Sequence, residues 1–300
     1  MKKKLLFIFN PSSGKSRIKS QLWKVIDILV KGEYDVTVYP TQKRFDAHDI
    51  VIERSKDFDL VVVGGGDGTL SEAVQGTVEL PEDKRVTLGY IPSGSTNDFG
   101  ASLNIPFNIP QAAQNIVDGV PKPIDCGLFN GKPYLYISAF GAFTDVSYET
   151  PQKNKNILGH AAYVLEGIKR LNTYTYYHLK IESDEISLED DFIMGFVSNT
   201  MSIGGMRNHS EYAPSLNDGL FECVMIKNPT GPSDFQSILT ALLTQDFECP
   251  SLVKFTTRKL TVKSAEPIKW TTDGEDGGAH TDVTIEVVPN AYQIIVPSKQ

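Results

Sequence analysis

The chain has 300 residues and a net charge of −8, long enough for two domains with sizeable cores. The acidic balance argues against a broad nucleic-acid-binding surface, and no apolar run approaches the roughly 18 residues needed to span a bilayer. Three cysteines, Cys126, Cys223 and Cys249, include no C-x-x-C pair, which argues against a disulfide framework or a structural zinc and fits a reducing cytoplasm.

The chain opens with Lys2, Lys3 and Lys4, read as a charged terminus. The run Leu5-Leu6-Phe7-Ile8-Phe9 that follows is too short for a signal-peptide core and reads as a buried strand. A helix is expected through Ile18–Leu29, a strand at Asp35–Tyr39 and a helix at Ala47–Arg54. A strand follows at Leu60–Val63, a helix begins at Leu70–Gln75, and another strand covers Val86–Ile91. Strands alternating with helices predict a doubly wound parallel sheet, in which ligands bind at the carboxyl ends of the strands. The loops at Asn10, Thr41, Gly64–Thr69 and Pro92–Asn97 all follow strands and are expected along one edge.

The pattern changes near Pro121–Pro123. Beyond it, runs with period-two alternation predict strands at Tyr134–Ser138, Tyr177–Ile181, Ile193–Val197, Phe221–Ile226, Leu260–Lys263 and Val283–Val287. Helical patterns interrupt them at Leu158–Leu171 and Pro232–Thr244. The second part therefore reads as an antiparallel, sandwich-like domain. The apolar face of Leu158–Leu171 reads as a core face rather than a membrane-lying one.

The densest signal is Val61-Val62-Val63-Gly64-Gly65-Gly66-Asp67-Gly68-Thr69-Leu70. Glycines let backbone N–H groups approach a ligand closely, and such groups beside a helix N-terminus attract phosphate. Asp67 stands where a carboxylate could hold a phosphate-bound Mg²⁺. The bland alternative is a ligand-free strand-to-helix turn. A dinucleotide fingerprint is excluded because its last glycine would stand at Thr69. A Walker A loop is excluded because Phe9 stands where the first glycine of Asn10-Pro11-Ser12-Ser13-Gly14-Lys15-Ser16 would have to be.

GGGDGTL, with Asn10-Pro11-Ser12-Ser13-Gly14 upstream and Ile91-Pro92-Ser93-Gly94-Ser95-Thr96-Asn97-Asp98-Phe99 downstream, resembles the diacylglycerol kinase catalytic-domain family. This is the soluble bacterial lipid kinase branch, related to sphingosine and ceramide kinases and more distantly to NAD kinases. The resemblance continues at Asn217-Asp218-Gly219 and at Thr272-Asp273-Gly274-Glu275, in the family's order over nearly the whole chain. It implies an ATP-binding α/β domain at 1–121, a β-sandwich lipid-substrate domain at 122–291, and a return of 292–300 to the first domain.

Read against the family pattern, ATP is held by Asn10, Ser13, Gly14, Thr41, Gly65, Gly66, Asp67, Gly68, Thr69, Glu72, Ser95 and Asn97. The family commonly has Thr where Ser95 stands, and both carry a hydroxyl. Asn97 and Asp98 are also candidates to cap the next helix. The resemblance makes Glu275 the group that takes the acceptor's proton, with Asp273 and Asp67 beside it in the catalytic set. In an extended segment Asp273 and Glu275 would share a side, leaving Asp273 to orient substrate or metal. The competing reading is a D-G hairpin turn with solvated acids. A second Mg²⁺ site is implied at Ser215, Asp218 and Leu220, weakened because some members carry Asp where Ser215 stands. The competing reading there is an Asn-Asp-Gly turn. His160, His178, His209 and His280 show no ligand spacing, and Arg207 reads as a surface cation.

These readings imply a cytoplasmic lipid kinase that uses ATP and Mg²⁺ and meets its substrate as a peripheral protein at the inner membrane face. Diacylglycerol is the leading acceptor. No nucleic-acid partner is expected, and an exposed sandwich edge would support a homodimer. The rival readings are an NAD kinase-like enzyme and a non-catalytic lipid-binding regulator on the same fold.

Overall fold

The structure is a computed structural model and describes residues 2–141, 175–199, 202–203, 206–207, 215–244 and 249–298. Its N-terminal part alternates strands β1 (Lys3–Phe9), β2 (Tyr34–Pro40), β3 (Leu60–Gly65) and β4 (Thr87–Pro92) with helices α1 (Arg17–Lys31), α2 (Asp46–Arg54) and α3 (Asp67–Glu79). Two more helices, α4 (Asp98–Ser102) and α5 (Ile109–Asp118), follow β4. The strands run parallel in the order β2-β1-β3-β4. Leu5–Phe9 and Leu60–Gly65 are buried throughout, as central strands of a covered parallel sheet must be. Ile18, Val25 and Leu29 recur at helical spacing and form the buried stripe of α1. Helix α1 packs on α5, and α2 packs on α3.

The later strands are antiparallel: β5 (Val120–Phe129), β6 (Lys132–Tyr134), β7 (Ile137–Gly141), β8 (Tyr177–Ser183) and β9 (Ser187–Ser198). A short pair follows, β10 (Ser202–Ile203) with β11 (Met206–Arg207). Then come β12 (Phe221–Lys227), helix α6 (Pro232–Thr244), β13 (Leu252–Thr257), β14 (Lys259–Thr272) and β15 (Glu275–Val296). Strand β15 joins the two parts. Its first half pairs with β14, its second half with β5, and Ile294 lies opposite Leu88 in parallel. Thirteen of the described strands thereby form one continuous sheet.

Three expectations are revised. Tyr134–Ser138 is not one strand: it breaks at Leu135–Tyr136, because the amides of Leu135, Tyr136 and Ile137 donate to the Asp273 carboxylate rather than along a ladder. Leu260–Lys263 and Val283–Val287 are segments of the much longer β14 and β15. The change of character at Pro121–Pro123 lies inside β5, where β15 is the strand's partner over 120–124; missing proline N–H groups are tolerated on such an edge. Leu158–Leu171, His160 and His209 lie outside the described residues.

Packing divides into separate clusters. One surrounds Leu5–Phe9, Val61–Val63 and Leu88 in the parallel part. A second gathers Trp270, Phe140, Phe192 and Phe221 among the antiparallel strands. A third, around Ile193, Val224, Ile226 and Ile238, lies beneath α6.

Candidate active site

The strand register brings four loops to one edge. Phe9 lies opposite both Pro40 and Gly64, and Gly65 lies opposite Pro92. The ladder then closes through the first residue of each loop. Asn10 N–H donates to the Gly64 carbonyl at 2.8 Å, Thr41 N–H to Phe9 at 2.9 Å, and Ser93 N–H to Gly65 at 2.8 Å. Asn10 and Thr41 are therefore level with Gly65 and Pro92, with Gly66 and Ser93 one residue beyond, and these residues frame the N-terminus of α3.

That terminus begins at Asp67, with Gly66 as its N-cap and no side-chain cap. The first amides of a helix have no partner within it, so Asp67, Gly68 and Thr69 offer N–H groups beside the positive end of the dipole. Asn10 Nδ2 donates to Thr69 Oγ1 at 3.3 Å, placing two of the expected side chains together. A cleft of about 340 Å³ opens here, lined by Asn10, Ser12, Thr41, Thr69, Glu72 and the Gln42–Arg44 segment.

The glycines serve close packing rather than unusual torsions at 64–66. A Cβ on Gly65 would meet the Thr69 side chain at 2.6 Å. Gly14 is different: its φ is +51°, and a Cβ there would collide with the Ser93 carbonyl. The Ser13–Gly14 loop therefore lies directly on the Ser93–Gly94 loop. Ser95 is exposed at the rim.

Two expected ligand residues serve the frame. Asn97 is buried at φ +58° and does not cap α4 through its side chain. Its Oδ1 accepts from Gly94 N–H at 2.9 Å and its Nδ2 donates to the Gly94 carbonyl at 3.1 Å, closing the loop on itself. The cap of α4 is supplied by Asp67, whose carboxylate accepts from Asp98 N–H at 3.1 Å and Phe99 N–H at 3.2 Å. Glu72 also has both oxygens engaged, with Phe45 N–H at 3.0 Å and Ala47 N–H at 3.3 Å. It lines the cleft and fixes the loop after Thr41.

The Asp273–Glu275 segment departs most from expectation. It is not extended. Asp273 and Gly274 have φ of +52° and +81°, and Thr272 pairs with Glu275, the geometry of a two-residue hairpin turn. The two acids thus have different surroundings. Asp273 Oδ2 accepts from Ser71 Oγ at 2.6 Å and Leu135 N–H at 2.6 Å; Oδ1 accepts from Tyr136 N–H at 2.9 Å and Ile137 N–H at 3.2 Å. Burial pushes its pKa up against the pull of those four donors. A carboxylate so occupied anchors backbone and has no oxygen left for substrate or metal. Glu275 is exposed and pairs with Arg44 Nη2 at 2.7 Å.

Sequence reasoning passed over Ser71 and Arg44. Ser71 lies one helical turn beyond Asp67, a spacing that could have marked it. Arg44 carried no signal besides its place in the loop after Thr41.

The donor set fits ATP and Mg²⁺ at the α3 terminus. Burial, with the neighbouring Asp98 charge, pushes the Asp67 pKa up to about 6. A carboxylate strained in this way beside open amides suits a hard cation carried on a phosphate. The other implied metal site fits less well. Asp218 Oδ1 accepts from Leu220 N–H at 3.0 Å, Ser215 Oγ donates to Asn217 Oδ1, and Gly219, at φ +76°, donates its N–H to Asp125. This is an Asn-Asp-Gly turn docked on Asp125. No group of three or more His, Cys, Asp or Glu residues placed to hold a metal ion occurs among the described residues.

A family model described as the diacylglycerol kinase catalytic domain matches residues 4–129. A second, the YegS C-terminal NAD kinase beta sandwich-like domain, matches 141–296. The chain is 33% identical over 280 residues to a diacylglycerol kinase of Bacillus subtilis (strain 168), covering 92% of this chain and 91% of that protein. It is 33% identical over 281 residues to a diacylglycerol kinase of Staphylococcus aureus (strain bovine RF122 / ET3-1), covering 93% and 88%. Among solved structures, a Bacillus anthracis str. Sterne protein ascribed to the diacylglycerol kinases superposes with a TM-score of 0.85 at 26% identity, covering 98% of this chain and 95% of that one.

Proposed function

The chain belongs to the diacylglycerol kinase family and is a lipid kinase, and from that premise we propose that it transfers the γ-phosphate of ATP, with Mg²⁺, to the hydroxyl of diacylglycerol to give phosphatidic acid. The observation that carries this reading is the convergence of the loops after β1, β2, β3 and β4 around the open N-terminus of α3, with the Glu275 hairpin tied to the same helix through Ser71 and Asp273.

In this reading the α3 amides and the Asn10, Thr41, Thr69 and Ser95 side chains hold the triphosphate, with Ser13, Gly14 and the Gly65–Gly68 backbone close around it. Asp67 holds the metal, which when bound offsets phosphate charge as phosphoryl transfer requires. Glu275 takes the acceptor's proton as the new oxygen–phosphorus bond forms, since a free alcohol is too weak an acid to ionise beforehand. Asp273 keeps the Glu275 turn in place. We read residues 1–121 and 292–300 as a doubly wound nucleotide unit and 122–291 as the lipid-binding sandwich. No described helix is long and apolar enough to cross a membrane. That fits an enzyme meeting lipid from the cytoplasmic side as a peripheral protein.

The test is γ-phosphate transfer into mixed micelles, comparing diacylglycerol, phosphatidylglycerol and NAD as acceptors with Mg²⁺ or EDTA. Mg²⁺-dependent label in phosphatidic acid, lost in Glu275→Gln, supports the reading. Label in NADP alone moves the chain to a soluble acceptor. Label in no acceptor, with ATP still bound, leaves a lipid-binding regulator.

A further inference from the structure

Among the cleft-lining residues that this mechanism leaves unused is Arg44. Its Nη2 donates to Glu275 Oε2 at 2.7 Å, across 231 positions of chain. The two side chains are 63% and 57% exposed. An ion pair that exposed adds little to folding, so stability does not account for the arrangement.

The loop that carries Arg44 is held from several directions. Glu72 fixes the amides of Phe45 and Ala47. Asp46 Oδ2 accepts from Gln42 N–H at 2.6 Å. Phe45 adopts φ +62°, a conformation that a bulky residue keeps only when its surroundings enforce it. The guanidinium lies 5.3 Å from the Phe45 ring centroid, within cation–π range. Arg44 also lines the cleft together with Asn10, Thr41 and Thr69. It therefore extends from the wall of the nucleotide cleft to the acidic side chain on the β14–β15 hairpin.

We propose that Arg44 is a positioning residue for Glu275. It pins Oε2 and leaves Oε1, which accepts no hydrogen bond from a described residue, as the atom that takes the proton. An exposed glutamate on a hairpin turn otherwise samples several rotamers. A rigid guanidinium fork confines it in a way that a flexible ammonium does not. The proposal rests on the reading of Glu275 as the base. In the step itself, the acceptor oxygen bonds to the γ-phosphorus, its proton passes to Oε1, and the γ-phosphorus–bridging-oxygen bond breaks with its electron pair leaving on ADP.

The experiment measures kcat and KM for ATP in diacylglycerol micelles for the wild type, Arg44→Ala, Arg44→Lys, Glu275→Gln and the Arg44→Ala/Glu275→Gln double variant. Circular dichroism melts confirm folding of each. Arg44→Ala is expected to lower kcat by roughly 10- to 100-fold, the scale of a misplaced catalytic group, with KM for ATP nearly unchanged. Arg44→Lys restores part of the rate, and Arg44→Ala causes no further loss once Glu275 is Gln. Wild-type kcat in Arg44→Ala beside an inactive Glu275→Gln overturns the positioning role and leaves the base in place. A raised KM for ATP at unchanged kcat also overturns it and assigns Arg44 to the nucleotide phosphates. Wild-type activity in Glu275→Gln removes the base, and the proposal with it.

Discussion

Ser71 Oγ donates to Asp273 Oδ2 at 2.6 Å, across 202 positions of chain. The bond joins the helix that opens at Asp67 to the hairpin that carries Glu275. The two halves of the candidate site are thus connected through a buried carboxylate. The same carboxylate also takes the amides of Leu135, Tyr136 and Ile137.

Asp273→Ala is therefore expected to be a folding variant first. It leaves three backbone donors and one hydroxyl without their acceptor, and each orphaned donor costs about 1–3 kcal/mol. The expected loss is about 3–5 kcal/mol after relaxation, read as a lowered denaturation midpoint in urea. Ser71→Ala removes a single donor and is expected to cost about 1–2 kcal/mol, a hydrogen bond to a charged group. Equal stability of Asp273→Ala and wild type would show that the hairpin is held by other contacts.

Asp67→Asn should separate catalysis from folding. The amide oxygen can still accept from one of the two α4 N–H groups that Asp67 holds, and the cost of burying a charge disappears, so the melting temperature is expected to fall only modestly. The charge that suits a phosphate-bound cation is gone, and phosphoryl transfer is expected to fall by at least about 100-fold, several kcal/mol of transition-state stabilisation. Retained Mg²⁺-dependent turnover would move the metal elsewhere.

Gly14→Ala tests the contact between two loops. The new Cβ meets the Ser93 carbonyl, and the backbone torsion is one that alanine disfavours. The cost is expected at about 1–3 kcal/mol of local strain, shared between a lower melting temperature and a KM for ATP raised several-fold. An unchanged KM would mean that the Ser13–Gly14 loop does not shape the nucleotide site.

Glu222 on β12 gives a pH dependence unrelated to catalysis. Burial pushes its pKa up to about 7, with the Asp218 charge adding to the shift. Among described residues its buried Oε2 has no hydrogen-bond partner. The native state thus holds a proton that the unfolded chain releases near an ordinary glutamate pKa. Stability from this group is complete below that value and is lost as pH rises toward about 7. The loss is at most about 3 kcal/mol, from the size of the shift. Glu222→Gln should match wild type at pH 4.5 and exceed it at pH 8, measured by thermal melts at both. A variant equally stable relative to wild type at both pH values would remove Glu222 as the titrating group.

Strands β1 to β4 and helices α1 to α3 were legible because each announces itself locally, whereas α5 was not anticipated. Leu5–Phe9 and Val61–Val63 are apolar runs bounded by turn residues, and α1 repeats its buried residues at helical spacing. The phosphate-type loop was legible for the same reason, since a glycine-rich turn between an apolar strand and a helix is a short-range signal. The later strands were found in part. The break at Leu135–Tyr136 was invisible because the acceptor that interrupts the ladder stands at Asp273, far along the chain.

The family, the kinase activity and the place of the cleft at the carboxyl ends of β1 to β4 were readable from the chain alone. All three depend on residue types at fixed short spacing, and spacing survives without coordinates. The different surroundings of the two acids on the β14–β15 hairpin emerge only on folding. Asp273 and Glu275 stand two positions apart in the chain and were expected to share one side of an extended segment. Folding turns one toward Ser71 and three backbone amides and the other toward solvent and Arg44. A carboxylate's role is set by the donors that reach it, and here they come from segments 138, 202 and 231 positions away.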